Sequence, residues 1–166
     1  MATQRDASQI AEIHVQTWQV AYRGLVPDDY LDALSVDQRA EAWRQILADS
    51  DLPRTGAFVL ECDAVVVGFV HVSPSRDDDA EAAIGEVTAI YVLADFWSRG
   101  VGRALMHCAV ENLRDAGFTS ATLWVLDANL RARRFYEAAG WASDGATQFS
   151  DRGTFSFSEV RYRRTI

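Results

Sequence analysis

Ile90-Tyr91-Val92, running through a short connection into Trp97-Ser98-Arg99-Gly100-Val101-Gly102-Arg103-Ala104-Leu105, is the stretch that decides how this chain folds. The β-branched and aromatic residues over Ile84–Leu93 predict a strand. Gly100 and Gly102 predict a turn that opens a helix over Gly102–Ala116, ended by Gly117. The first N–H groups of such a helix have no carbonyl to bond, and the helix dipole puts about half a positive charge at that end. A missing Cβ lets an anion approach the main chain closely. The segment is therefore a candidate pyrophosphate site built from Ser98, Arg99, Gly100, Val101, Gly102, Arg103 and Ala104, with Arg99 and Arg103 as side-chain partners. Alone, the pattern is as well explained by a plain loop.

Working outward, Ile10, Ile13 and Thr17, with Trp18 alongside, have helical spacing within Asp6–Val20, and Asp6 or Ser8 can cap that helix. Gly24 and Pro27 break it; Asp28 can cap a short helix through Leu34, and Ser35-Val36-Asp37-Gln38 has capping-box form for a helix to about Ala48. Ala57–Glu61 and Val65–Val72 read as strands joined in a hairpin through Cys62-Asp63-Ala64. The run Arg76-Asp77-Asp78-Asp79-Ala80-Glu81 reads as a solvated polar turn. After Gly117 come a strand at Ala121–Leu126, a helix at Leu130–Ala139 ended by Gly140, and a strand at Phe155–Arg163. Helices, then a hairpin run, then β-α-β-α-β imply an α/β fold with a mixed sheet, in one domain over 1–166.

Composition excludes several function classes. The 166 residues are 49% hydrophobic and 24% charged, the balance of a chain that buries a core. No apolar run approaches the ~18 residues of a membrane span, and Met1–Asp6 lacks the layout of a signal peptide. Cys62 and Cys108 stand apart, so neither a disulfide framework nor a metal site is indicated, and a cytoplasmic location is expected. A net charge of −8 argues against a nucleic-acid partner and tilts slightly toward a cationic one. All 16 basic residues are arginine, which excludes a lysine nucleophile or Schiff base.

Two segments in the right order resemble the GNAT superfamily of acetyl-CoA-dependent N-acetyltransferases. The family's turn, R/Q-x-x-G-x-G/A, is matched by Trp97-Ser98-Arg99-Gly100-Val101-Gly102, with Trp97 departing at the first position. Its N-x-x-A-x-x-F-Y-x-x-x-G-F/W segment is matched by Asn129-Leu130-Arg131-Ala132-Arg133-Arg134-Phe135-Tyr136-Glu137-Ala138-Ala139-Gly140-Trp141. Ile13–Trp18 with Ala21-Tyr22-Arg23-Gly24 resembles the first helix of one bacterial branch. Ala2–Asp6 resembles the turn after the family's first strand, so that strand is expected to be truncated or absent here.

The resemblance implies a mostly antiparallel mixed sheet, flanked by helices and splayed at the acetyl-CoA site. It implies acetyl-CoA as cosubstrate without a metal, and acetyl transfer to a primary amine, expected to be that of a small molecule. Polyamine, aminoglycoside-like antibiotic, amino acid and protein N-terminus are all open as acceptors, and it is the acidic balance that tilts toward a cationic small molecule. Direct attack in a ternary complex is the expected route; a homodimer is compatible with it, and the alternative is a non-catalytic acyl-CoA-binding module. It makes Ile90, Tyr91 and Val92 the strand that pairs with pantetheine, the Val92 N–H the group that polarises the thioester carbonyl, and Asn129 a further contact to that arm. Tyr136 becomes the general acid for the leaving thiolate and Glu86 the general base, with Trp18 and Tyr22 lining the acceptor pocket. Each residue also has an ordinary reading: Tyr136 as core aromatic, Asn129 as helix cap, Glu86 as a solvated strand residue. His14 reads as pocket lining or filler and His71 as structural, while His107 receives no role; Arg131, Arg133 and Arg134 read as a solvated face or a contact to the 3′-phosphate.

Overall fold

In the computed structural model, which covers Met1–Ile166, a 3₁₀ turn at Gln4–Asp6 leads into α1 (Ala7–Ala21), α2 (Asp28–Asp32) and α3 (Val36–Ala48). Then come β1 (Gly56–Cys62), β2 (Val65–Pro74), β3 (Ile84–Val92), α4 (Val101–Asp115), β4 (Ser120–Leu126), α5 (Leu130–Ala138), β5 (Ala142–Asp151) and β6 (Ser156–Thr165). The strands form one sheet in the order β1-β2-β3-β4-β6-β5. All neighbours are antiparallel except β3 and β4, which α4 connects in parallel. This is the mixed, mostly antiparallel sheet expected.

Strand alternation sends side chains to two separate cores. Val70, Val72, Val87, Leu123, Val125 and Tyr162 meet the apolar stripe of α4, from Val101 through Leu105, Met106, Ala109 and Val110 to Leu113. On the opposite face, Ala57, Val66 and Phe69 pack under Ile10 and Ile13 of α1 and under Trp43 and Leu47 of α3. Helices cover both faces, and functional groups must come from the places where the covering stops.

Local expectations need four corrections. Asp6 does not cap α1: its carboxylate turns back to the Thr3 N–H at 2.7 Å and closes the 3₁₀ turn instead. Asp28 does not cap α2: the cap position falls on Pro27, Asp28 is the first helical residue, and its carboxylate lies 3.2 Å from Arg23. The acidic run is no free turn. Asp77 and Asp79 both bind the buried Arg161 guanidinium, at 3.0 and 2.6 Å, Asp144 of β5 binds it at 2.8 Å, and the Trp124 indole N–H donates to Asp77. Finally, β5 is a strand that sequence reading omits. Before the 3₁₀ turn there is no strand, and only the Ala2 N–H bonds to the Ala57 carbonyl, at 2.8 Å.

Candidate active site

The sheet comes apart where the site lies. β3 and β4 pair only at Ile84/Ser120, Gly85/Ala121 and Glu86/Thr122. Beyond Glu86 the two strands diverge, and a cleft of about 750 Å³ opens between them. Thr88 has no partner in the β2–β3 register, which passes from Ala89/His71 to Val87/Val72, so a bulge sits where the divergence begins.

Hydrogen-bond bookkeeping shows which main-chain groups face the cleft. The Leu93 N–H bonds the Val67 carbonyl at 2.9 Å, and the register is unbroken from Val92/Gly68 to Ala89/His71. In an antiparallel ladder alternate residues bond the same neighbour, so Tyr91 and Leu93 face β2. Ile90 and Val92 turn their N–H groups the other way, toward the space that β4 has left. The Val92 carbonyl is taken: the Trp97 indole N–H donates to it at 2.7 Å and the Thr17 hydroxyl at 3.4 Å. Its N–H stays free. Trp97, the departure from the family pattern, thus ties the end of β3 to the turn that follows.

The turn delivers its donors as expected. Gly100 holds φ at +87° with open space where a Cβ would be, and it caps α4. The Ala104 N–H is the first to reach a carbonyl, that of Gly100 at 3.0 Å, which leaves the Val101, Gly102 and Arg103 N–H groups unbonded at the positive end of the helix. Ser98, Gly100, Gly102 and Arg103 line the cleft. Gly102 has an ordinary helical φ, and a Cβ added there would touch the Phe135 ring at 3.4 Å, so a larger side chain would extend toward the cleft. Arg99, Val101 and Ala104 do not line the cleft: Arg99 lies over the Phe96 ring, Val101 is buried against the core and Ala104 faces solvent.

α5 forms part of the opposite wall. Asn129 caps α5, its side-chain oxygen accepting from the Ala132 N–H at 3.1 Å, and it lines the cleft. Tyr136 is buried beside Phe135 and Tyr162, lines the cleft, and its hydroxyl has no hydrogen-bond partner in the protein. Burial holds its phenol well above the ordinary value, with the nearby Tyr91 adding to the effect. Arg131 stacks on the Trp97 ring at the cleft edge, whereas Arg133 is committed to Asp127 and the Tyr162 hydroxyl.

The face toward α1 is aromatic. The Trp18 indole donates to the Tyr91 hydroxyl at 3.0 Å, Trp18 packs edge-on against Tyr22 at 4.8 Å, and Tyr30 and Phe157 extend the lining. Burial raises the Tyr22 and Tyr91 phenols, so both stay neutral. Tyr91 therefore belongs to this wall by its side chain, and its N–H is not free to pair with a ligand. Glu86 is buried and lies at the point of divergence, where the Arg76 N–H and guanidinium each reach it at 3.3 Å. His14 is buried and lines the cleft, accepting from the Trp43 indole at 3.2 Å and stacked on Tyr91; burial first and Arg39 second lower it to about 3. His71 is likewise buried, neutral and bonded to Thr88, while His107 is exposed on α4.

The structure thus gathers Ile90, Val92, Ser98, Gly100, Gly102, Arg103, Asn129, Tyr136, Glu86, Trp18 and Tyr22 around one cleft. Sequence reasoning missed Glu159, Tyr30 and Phe157 in its lining. The alternation Phe157-Ser158-Glu159-Val160-Arg161 carried the signal, since it puts Phe157 and Glu159 on one face and the core residue Val160 on the other. No cluster of His, Cys, Asp or Glu is disposed to hold a metal, and no helix is long and apolar enough to cross a membrane. The unbonded amides, the arginine beside them and the space over Gly102 suit a pyrophosphate with an extended arm.

Known proteins agree with this geometry. Residues 10–141 match the family model described as Acetyltransferase (GNAT) family. The uncharacterised N-acetyltransferase YuaI of Bacillus subtilis is 33% identical over 125 residues, covering 75% of this chain and 68% of that protein. The fold is that of the PaiA N-acetyltransferase from Thermoplasma acidophilum, crystallised with coenzyme A, at a TM-score of 0.75 and 15% identity over 99% of this chain and 96% of that one. It is also that of the acetyltransferase YncA from Salmonella typhimurium with its cofactor acetyl-CoA, at 0.71 and 17% over 99% and 90%. With strand, turn, splay and tyrosine all in place, the chain belongs to the GNAT family and is an acetyl-CoA-dependent acyltransferase.

Proposed function

We propose that the protein transfers the acetyl group of acetyl-CoA to the primary amine of a small molecule, by direct attack with both substrates bound. The observation that carries this reading is the divergence of β3 from β4, which leaves the Ile90 and Val92 N–H groups unpaired between the α4 N-terminus and Tyr136. Ile90 and Val92 hold the pantetheine arm as an added strand would be held. The Val92 N–H stabilises negative charge developing on the thioester oxygen. Ser98 to Arg103 hold the pyrophosphate through the main chain, Arg103 adds its guanidinium, and Asn129 contacts the arm from the other wall. Tyr136, kept protonated by burial, gives its proton to the departing sulfur and recovers one from solvent.

Glu86 is the general base that the family resemblance suggests. Along the strand, however, Glu86 lies about 20 Å from Val92 at ~3.3 Å per residue, so it can take a proton from the attacking amine only through water. Its contact with Arg76 further favours a structural share in its role.

The test is twofold. Gly102→Val adds its methyl groups where Phe135 and the cleft meet, so calorimetry should show at least a tenfold loss of acetyl-CoA affinity in a folded protein. A panel of amines assayed by release of free thiol should then show turnover. Tight acetyl-CoA binding without turnover of any amine would instead identify an acyl-CoA-binding module.

A further inference from the structure

Glu159 is the carboxylate on the acceptor side that is left without a cation. It sits on β6 opposite Leu126 of β4, and Leu126 lies beyond Thr122 by as much as Ile90 lies beyond Glu86. Glu159 therefore stands across the cleft at the level of Ile90, near the amides that face it, whereas Glu86 lies back where the strands part. Gln148 and Ser150 of β5 donate to its Oε2 at 2.9 and 2.5 Å, and Oε1 has no partner in the protein. Neutral donors thus hold the group in place without neutralising it. No salt bridge reaches it, in contrast to Glu86 and Arg76. In the same cleft are Trp18, Tyr22 and Tyr30, half-buried rings whose flat surfaces suit an apolar body and, through the ring quadrupole, a cation; Phe157 continues this wall with the Arg152 guanidinium already over its ring.

We infer that Glu159 binds the acceptor's ammonium through Oε1 and takes its proton, and that the acceptor is a compact primary amine with an apolar or aromatic body lying on this wall. The inference rests on the acetyltransferase reading above. In the step it describes, R–NH3⁺ passes one proton to the Glu159 carboxylate and the freed lone pair forms the C–N bond. The second amine proton leaves as the C–S bond breaks, balancing the proton that Tyr136 gives to sulfur, and Glu159 releases its own to solvent. One proton is released per turnover. The other charges that line the cleft are the guanidiniums of Arg39, Arg103, Arg131 and Arg152, which make no ion pair, and the Glu86–Arg76 pair; Arg131 lies over the Trp97 ring and Arg152 over the Phe157 ring, and Tyr22 and Tyr91 face Glu159 as neutral phenols.

The probes are 2-phenylethylamine and ethanolamine, followed by thiol release from pH 6 to 10, and by calorimetric titration into enzyme saturated with coenzyme A, where no chemistry occurs. Glu159→Gln keeps the shape and should weaken 2-phenylethylamine binding at least tenfold. It should lower kcat/KM about 10²-fold or more below the amine's pKa, with the defect shrinking as the free amine becomes abundant. Acetyl-CoA affinity, unchanged in the variant, shows that the fold is kept; if it falls, Glu159→Asp, which retains the charge, must restore amine binding or the inference fails. A wild type that turns over neither amine overturns the acetyltransferase reading for this acceptor class and this inference with it. Wild-type turnover that Glu159→Gln retains at every pH overturns the inference alone, as does a pH-dependent loss found in Glu86→Gln but not in Glu159→Gln. Ethanolamine turned over as well as 2-phenylethylamine overturns the aromatic body.

Discussion

Replacing Tyr136 by Phe removes one oxygen and leaves the ring, so its effect can be worked out from the surroundings. The ring keeps its neighbours Phe135 and Tyr162, at 5.3 and 6.1 Å between centroids. The hydroxyl makes no hydrogen bond in the protein, so nothing is orphaned by its loss, and stability should change by no more than about 0.5 kcal/mol. Turnover is another matter. A positioned acid contributes roughly 10²- to 10⁴-fold, which is about 2.7–5.4 kcal/mol of barrier. Burial has raised this phenol far above the ~8.5 of a thiol, so it is a reluctant donor and the lower half of that range is expected. The same shift keeps it protonated across the working range, so the loss should not vary between pH 6 and 9. The assay is single-turnover thiol release, which isolates chemistry from product departure, with acetyl-CoA affinity measured in parallel. Full single-turnover rate in Tyr136→Phe would show that the ring is only packing and that water protonates the sulfur.

His14 provides a test of stability against pH. Its folded value is lowered from 6.5 to about 3, so the unfolded chain binds the extra proton first and stability falls as pH drops through that window. It is full above 6.5, and the loss amounts to on the order of 4 kcal/mol by pH 3. His14→Gln can still accept from the Trp43 indole, so chemical denaturation should show the variant gaining on the wild type as pH falls; parallel curves would refute this. Arg161→Met leaves the Asp77 carboxylate without its counter-ion and Asp144 with Arg163 alone, which should cost about 3 kcal/mol and appear as a fall in Tm of many degrees. An unchanged Tm would mean that those carboxylates find water or new partners without penalty.

The parts of this structure that were legible in the sequence are those whose signals are local. Gly100 must reach a positive φ and α4 must begin somewhere, so the phosphate turn could be placed to within a residue. The α4 stripe and the β-branched and aromatic runs of β2 and β3 report burial directly. β5 was illegible for the opposite reason: it is an edge strand exposed along most of its length, so Ala142-Ser143-Asp144-Gly145-Ala146-Thr147 carries no alternation, and its only large apolar residue, Phe149, is 81% exposed. The acidic run looked like a solvated turn because its counter-ion, Arg161, lies more than eighty positions away. Glu159 went unnoticed through the same distance effect. The alternation in β6 shows which face Glu159 takes, but that this face borders a cleft depends on the β3–β4 divergence, which β6 does not encode. Trp97 reads as a lost family residue in the sequence, and only the Val92 carbonyl shows what it does instead.

The Arg161 cluster has a mechanical consequence. Two plates, β1–β3 and β4–β6, share strand pairing only at the three register positions of Ile84–Glu86, and beyond them the α4 core is what joins the two. Asp77 and Asp79 are carried by the loop leaving the first plate, while Arg161 and Asp144 belong to the second. The cluster is therefore a tie-bar between the two plates on the loop side, helping the α4 core to hold the jaws at their angle. Neutralising Asp77 and Asp79 together should let that angle vary, and both substrates would then bind more weakly by a similar factor although neither touches the residues changed.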